Sequence, residues 1–137
     1  MKFATLTPAD VETYDFQFKS VDPTWPLDKL KADRPGKWEL SFVLWDHVPI
    51  AYCVLTRHER FGTVHIGNLA VHPDFRGWGF GDRVMREAVR RGAQSVKVDI
   101  ANTRAQKLYI RHGFCVTGLD NGYLLMTGGR SSDAAVV

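Results

Sequence analysis

The stretch Arg76-Gly77-Trp78-Gly79-Phe80-Gly81 places three glycines within six residues, led by an arginine. Glycine lets the backbone approach a ligand closely and turn into positive φ. Successive amide N–H groups in such a loop can point at one anion, aided by the start of a following helix. Arg76 adds a positive charge at the loop entrance. The chemistry offered is anion binding. A flexible connector is the plain alternative, but a connector needs neither the arginine nor alternating glycines fused to a patterned helix. Gly77-x-Gly79-x-Gly81 does not have the GxGxxG spacing of a dinucleotide loop, and no early strand with a ribose-binding acid accompanies it. It also lacks the GK[ST] ending of a nucleoside-triphosphate loop, and Asp82 beside a triphosphate would be repulsive without a metal. A pyrophosphate joined to something other than a second nucleotide fits better.

The elements around the loop must hold it rigid. Thr63 to Val71 reads as a strand that Pro73 stops. Phe80 to Arg91 has helical spacing, with Phe80, Val84, Met85, Ala88 and Val89 to one side. Ser95 to Ile100 reads as a strand, and Thr103 to His112 as a helix closed by Gly113. Phe114 to Thr117 and Tyr123 to Met126 are two final strands. Before the loop, Lys2 to Leu6 is a short strand, and Thr7-Pro8-Ala9-Asp10 opens a helix with a cap, an early proline and a first-turn acid. Trp38 to Trp45 and Ile50 to Arg57 form a hairpin across Asp46-His47-Val48-Pro49. The Pro- and charge-rich stretch 22–36, with a short helix from Pro26 to Ala32, is placed over the substrate side. The order gives a mixed α/β sheet with at least one parallel pair, and ligands in such sheets favour the carboxyl ends of parallel strands.

The chain has 137 residues, 45% hydrophobic and 12% aromatic, which suits one domain with a substantial core. Residues 1–127 are expected to be that domain and 128–137 a flexible tail. The net charge of +3 fits a small anionic ligand and is too dispersed for nucleic acid. The dense basic stretch Arg83 to Arg91 reads as a solvated helix face. Cys53 and Cys115 each sit in an apolar run and read as small buried hydrophobes, without metal-ligand or CxxC spacing. No metal is expected. The absence of a leader or apolar span makes a cytoplasmic location, with no membrane partner, the expectation. The protein is expected to be a monomer or homodimer.

A second block follows the loop: Asn102-x-x-Ala105-x-x-x-Tyr109-x-x-x-Gly113-Phe114. Together with Leu69-Ala70-Val71-His72-Pro73 and Arg76-Gly77-Trp78-Gly79-Phe80-Gly81, it resembles the GNAT superfamily of N-acetyltransferases, whose loop signature is Q/R-x-x-G-x-G/A. The resemblance covers about Thr63 to Thr117. It implies a single α/β (α+β) domain with a mixed, mostly antiparallel twisted sheet, splayed at an acetyl-CoA site and flanked by helices. It implies acetyl-CoA as cosubstrate and a small-molecule or peptide amine as acceptor. Main-chain groups of Leu69, Ala70 and Val71 would pair with the pantetheine arm. Amides from Gly77 through Trp78, Gly79, Phe80 and Gly81 to Asp82, beside Arg76, would hold the pyrophosphate. Asn102 would bond the pantetheine region, and Tyr109 would be the general acid that protonates the departing thiolate.

The chemistry behind those roles is general. Acetyl transfer needs a neutral amine, a polarised carbonyl and a stabilised leaving thiolate. Tyr109 lies four residues after Ala105 and seven after Asn102, on one helix face. A core tyrosine with a satisfied hydroxyl is the alternative. The base is less evident. The position matching the glutamate of histone-acetylating relatives is His65, which can act near neutral pH or be a strand histidine with no role. The position matching the glutamate of amino-terminal acetylating relatives is Lys97, which cannot serve while charged. Asp99, two residues on and on the same strand face, is the second candidate. Water is a third. Trp25 is assigned to the substrate side, and Trp78 to shielding the loop or packing beneath it. A non-catalytic acyl-CoA-binding module and, more remotely, a nucleotide-binding protein are the competing readings.

Overall fold

A computed structural model describes residues 1–14, 18–19, 21, 40–58 and 60–128. The expected helix at 26–32, Trp25, Trp38 and positions 129–137 lie outside the described residues. The elements run β1 (Lys2–Thr5), α1 (Pro8–Thr13), β2 (Phe42–Asp46), β3 (Val48–Arg57), β4 (Val64–Val71), a 3-10 turn (Pro73–Phe75), α2 (Phe80–Arg90), β5 (Ala93–Asp99), α3 (Thr103–Arg111), β6 (Cys115–Asp120) and β7 (Tyr123–Thr127). The seven strands form one open, mixed sheet in the order β1-β2-β3-β4-β5-β7-β6. Among the described residues, only β4 and β5 pair in parallel.

Local signals explain several boundaries. Thr7 and Asp10 make a reciprocal capping box: the Asp10 amide donates to Thr7 Oγ1 at 3.2 Å, and the Thr7 amide donates to Asp10 Oδ2 at 2.9 Å. The β2–β3 turn is tighter than expected. His47 takes the left-handed conformation, and β3 already begins at Val48. Pro49 therefore sits inside the hairpin opposite Trp45, next to a register shift, the kind of irregular place in a sheet where proline is tolerated.

Strand alternation divides the core in two. Ala51, Cys53 and Leu55 of β3 join Val84, Met85 and Ala88 of α2 on one face, together with Tyr109 of α3. Tyr52 and Val54 face the other way, against Leu6, Phe18 and Val21. Burial of Val84 and Met85 contributes about 1.5–3 kcal/mol each. Two expectations need correction here. Cys53 is buried, but Cys115 is exposed, because β6 is the edge strand of the sheet and its first residue has no cover. The basic stretch of α2 is also not wholly solvated. Arg91 folds over the Phe42 ring at 4.6 Å and bonds Thr5 Oγ1 at 3.2 Å.

One irregularity shapes the site. β4 pairs with β5 only from Val64 to Ile66 and then leaves it. At the same place its register with β3 shifts: Leu55 pairs with Ile66 and Val54 with Asn68, so Gly67 is an extra residue. A bulge of this kind bends a strand and swaps the side to which later residues point. Beyond it, Leu69 and Val71 join the helix-side core and Ala70 the opposite one. The strand end before the glycine loop is thereby freed of β5 along one edge.

Candidate active site

The loop that follows β4 is held from both ends. His72 Nδ1 accepts the Asp74 amide at 3.0 Å and starts the 3-10 turn. Arg76 Nε donates to the Val71 carbonyl at 3.2 Å, which ties the loop entrance to the strand end. Gly77 and Gly79 have φ of 83° and 85°. A Cβ at either would touch nothing within 4 Å, so conformation and not space requires glycine there. Gly79 is the N-cap of α2 and offers no side-chain acceptor to the first turn. The first amides of α2 are thus left for an acceptor from outside the helix.

These groups border a cleft of about 790 Å³. One wall is Leu69, Ala70 and Val71 at the freed end of β4, with Phe75 and Phe80 beside them. The loop contributes Arg76, Gly77, Gly79 and Gly81, and α3 forms the far wall. Asp82 links α2 to α3. Arg111 donates to its two carboxylate oxygens at 3.2 Å each, and His112 Nε2 lies 2.8 Å from Oδ1. The Arg111 hydrogen bonds hold the Asp82 carboxyl below its usual range; partial burial opposes this and His112 adds to it. The negative side chain beside the glycine loop is therefore compensated by Arg111 and His112. The cleft's shape and polarity fit a long anionic ligand with a phosphate group on the loop and an extended arm along β4.

The structure brings some expected residues together and separates others. Asn102 and Ala105 line the cleft. Asn102 is also the N-cap of α3, with its Oδ1 accepting the Ala105 amide at 3.1 Å. Tyr109 does not line the cleft. It is buried in the helix-side core, 6% exposed, with its ring 6.2 Å from that of Phe114. Burial, and next the nearby Cys53, push its phenol pKa up, so the hydroxyl stays protonated at neutral pH. Trp78 is 71% exposed and stacks on Phe80, so it does not pack beneath the loop.

The base candidates lie on the other side of the sheet. Val96 and Val98 of β5 point to the helix-side core, so Ser95, Lys97 and Asp99 point away from it. His65 Nδ1 is 2.9 Å from Ser95 Oγ, on that same face. Asp99 is exposed at the end of β5, and its Oδ1 accepts the Ala101 amide at 2.8 Å. His65 pairs in register with Ser95, four residues before Asp99, so the two candidates are separated by roughly 13 Å along the strand. Lys97 is bound to Asp120 at 3.1 Å.

Sequence reasoning passed over three cations that line the cleft: Arg104, Lys107 and Arg111. Their spacing of three and four within the expected helix was the available signal. Among the described residues, no cluster of side chains suited to a metal is present, and no helix is long and apolar enough to cross a membrane.

The model of the Acetyltransferase (GNAT) family matches residues 8–114. No curated protein sequence matches the chain. Solved structures of N-acetyltransferases share its fold. The ribosomal-protein-S18-alanine N-acetyltransferase from Escherichia coli superposes with a TM-score of 0.70 at 17% identity, over 95% of this chain and 94% of that one. A chain of the NatC complex bound to Gag peptide and CoA gives 0.71 at 19%, over 93% and 97%. A spermidine N-acetyltransferase chimera from Vibrio cholerae and hSSAT gives 0.65 at 16%, over 93% and 92%.

Proposed function

From the premise that the chain belongs to the acetyltransferase (GNAT) family, we propose that it transfers the acetyl group of acetyl-CoA to a primary amine of a small molecule or peptide, by direct attack in a ternary complex. The observation that carries this reading is the cleft itself. A preformed anion loop at the start of α2 and a freed strand edge at Leu69–Val71 meet in one cavity. Loop amides from Gly77 to Asp82 hold the pyrophosphate, with Arg76 fixing the loop entrance. Main-chain groups of Leu69, Ala70 and Val71 hold the pantetheine arm, as an added strand would. Asn102 keeps its Nδ2 for that arm while Oδ1 caps α3.

The amine nitrogen forms a bond to the thioester carbon, and the carbon–sulfur bond breaks. Tyr109 donates its hydroxyl proton to the departing sulfur, and the raised pKa keeps that proton available. The amine proton leaves to His65, to Asp99, or to water. His65 and Asp99 stand on the face of the sheet opposite Tyr109, and in this reading donor and acceptor meet at the gap where β4 leaves β5. The acceptor is left open between classes: the similar structures include enzymes named for a ribosomal protein and for spermidine.

A second reading has three observations in its favour. Asp99 already bonds Ala101, Lys97 already bonds Asp120, and Tyr109 is buried. A non-catalytic acyl-CoA-binding module would tolerate all three. A CoA-release assay over polyamines, aminoglycosides, amino acids and peptides separates the readings. Release with at least one amine class supports the enzyme. CoA binding without release for any class supports the module.

A further inference from the structure

The far wall of the cleft carries three cations on one stripe of α3: Arg104, Lys107 and Arg111. They differ in what holds them. Arg111 is committed to Asp82 by two hydrogen bonds of 3.2 Å. Arg104 and Lys107 are exposed and have neither a hydrogen bond nor an ion pair among the described residues. Nothing within α3 compensates them, because its first turn contains no acid. Arg104 stands in that first turn, where the helix dipole disfavours a cation. Lys107 follows three residues later, where like charges repel by a few tenths of a kcal/mol. For the helix by itself this arrangement is unfavourable. An anion lying on the stripe is attracted by both cations and by the start of the helix, and so offsets these effects.

The pyrophosphate is already provided for by the loop amides, Arg76 and the start of α2. CoA carries one more anion, the phosphomonoester on its adenosine ribose, with a charge approaching −2 at neutral pH as for other phosphomonoesters. Resting on the acetyl-CoA reading above, we propose that Arg104 and Lys107 form the subsite for this ribose phosphate. The protein then selects CoA over dephospho-CoA, which shares the pyrophosphate and the pantetheine arm but lacks that group.

Calorimetric titration of the full chain with CoA and with dephospho-CoA tests this. Wild type is expected to bind CoA about tenfold more tightly or better, since charge-assisted hydrogen bonds are the strong ones. In the Arg104→Gln, Lys107→Gln double variant, the ratio is expected to fall to about twofold or less, through weaker CoA binding alone. The charge-preserving Arg104→Lys and Lys107→Arg changes are expected to keep the preference. If the double variant fails to fold, each single glutamine variant is expected to take about half of the effect on a logarithmic scale. Equal affinity of wild type for the two ligands overturns the proposal. So does a double variant that weakens both ligands by the same factor, which would assign the two cations to the pyrophosphate. Failure of wild type to bind either ligand overturns the acetyl-CoA reading, and the subsite with it.

Discussion

The two faces of the sheet around β4 and β5 are made of different materials. On the helix side, the anion loop works through its backbone: positive φ at Gly77 and Gly79, first-turn amides of α2, and a strand edge bared by the bulge at Gly67. On the other side, the candidate groups are side chains, and each already has a local bond: His65 with Ser95, Asp99 with Ala101, Lys97 with Asp120. A site made of backbone must be rigid before its ligand arrives, and it leaves a spacing of glycines behind it. A site made of side chains needs only that a few groups reach one point, and no spacing records that. The donor half is therefore well defined, while the acceptor half consists of competing candidates.

The sharpest way to break this contrast is Tyr109→Phe, because the proposed mechanism assigns Tyr109 the proton that goes to the departing sulfur. Turnover is expected to fall by about 10²–10⁴-fold with CoA affinity unchanged, as for removal of a general acid. Steady-state kinetics with calorimetry checks it; full activity in the variant would return Tyr109 to a packing role. On the acceptor side, His65→Gln and Asp99→Asn are compared. Only one is expected to lower kcat strongly, by about 10²-fold, and to remove the acid limb of the pH–rate profile. If both leave the profile unchanged, water takes the proton.

A smaller effect is expected in the loop. Gly79→Ala forces a side chain into φ of 85°, at a cost of about 1–2 kcal/mol. KM for acetyl-CoA should rise about tenfold while kcat changes little. A rise no greater than that of a surface control would show that the loop's conformation is dispensable. The smallest effect concerns the link between α2 and α3. The Asp82 carboxyl lies below its usual range when folded, so its contribution is present above the unfolded value, near pH 4, and is lost as pH falls through the folded value. Because Asp82 is partly exposed, Asp82→Asn should cost about 1 kcal/mol or less at pH 7. Thermal melts of the variant and wild type should converge in acid.

The same contrast explains what could be read from the chain. The spacing of Val84, Met85 and Ala88 marked α2, and Thr7 with Asp10 marked the start of α1, because period and capping are local. The place of Pro49 inside a hairpin was not legible, since it depends on a register shift with Trp45 across the turn. Cys115 looked buried because its neighbours are apolar; its exposure follows from strand order, a long-range property. Arg91 looked solvated with its neighbours, and its cover over Phe42 is likewise a tertiary contact. Arg104 and Lys107 were visible as cations on a helix, but only the packing of α3 beside the loop turns that stripe into a wall of the cleft.

The central claim is that the cleft beside Gly77–Asp82 is a CoA site, and titration of the purified chain with CoA, ATP and NAD tests it most directly. The account predicts one-to-one binding of CoA, with ATP and NAD at least about tenfold weaker. Absence of CoA binding, or a preference for ATP or NAD, would contradict it.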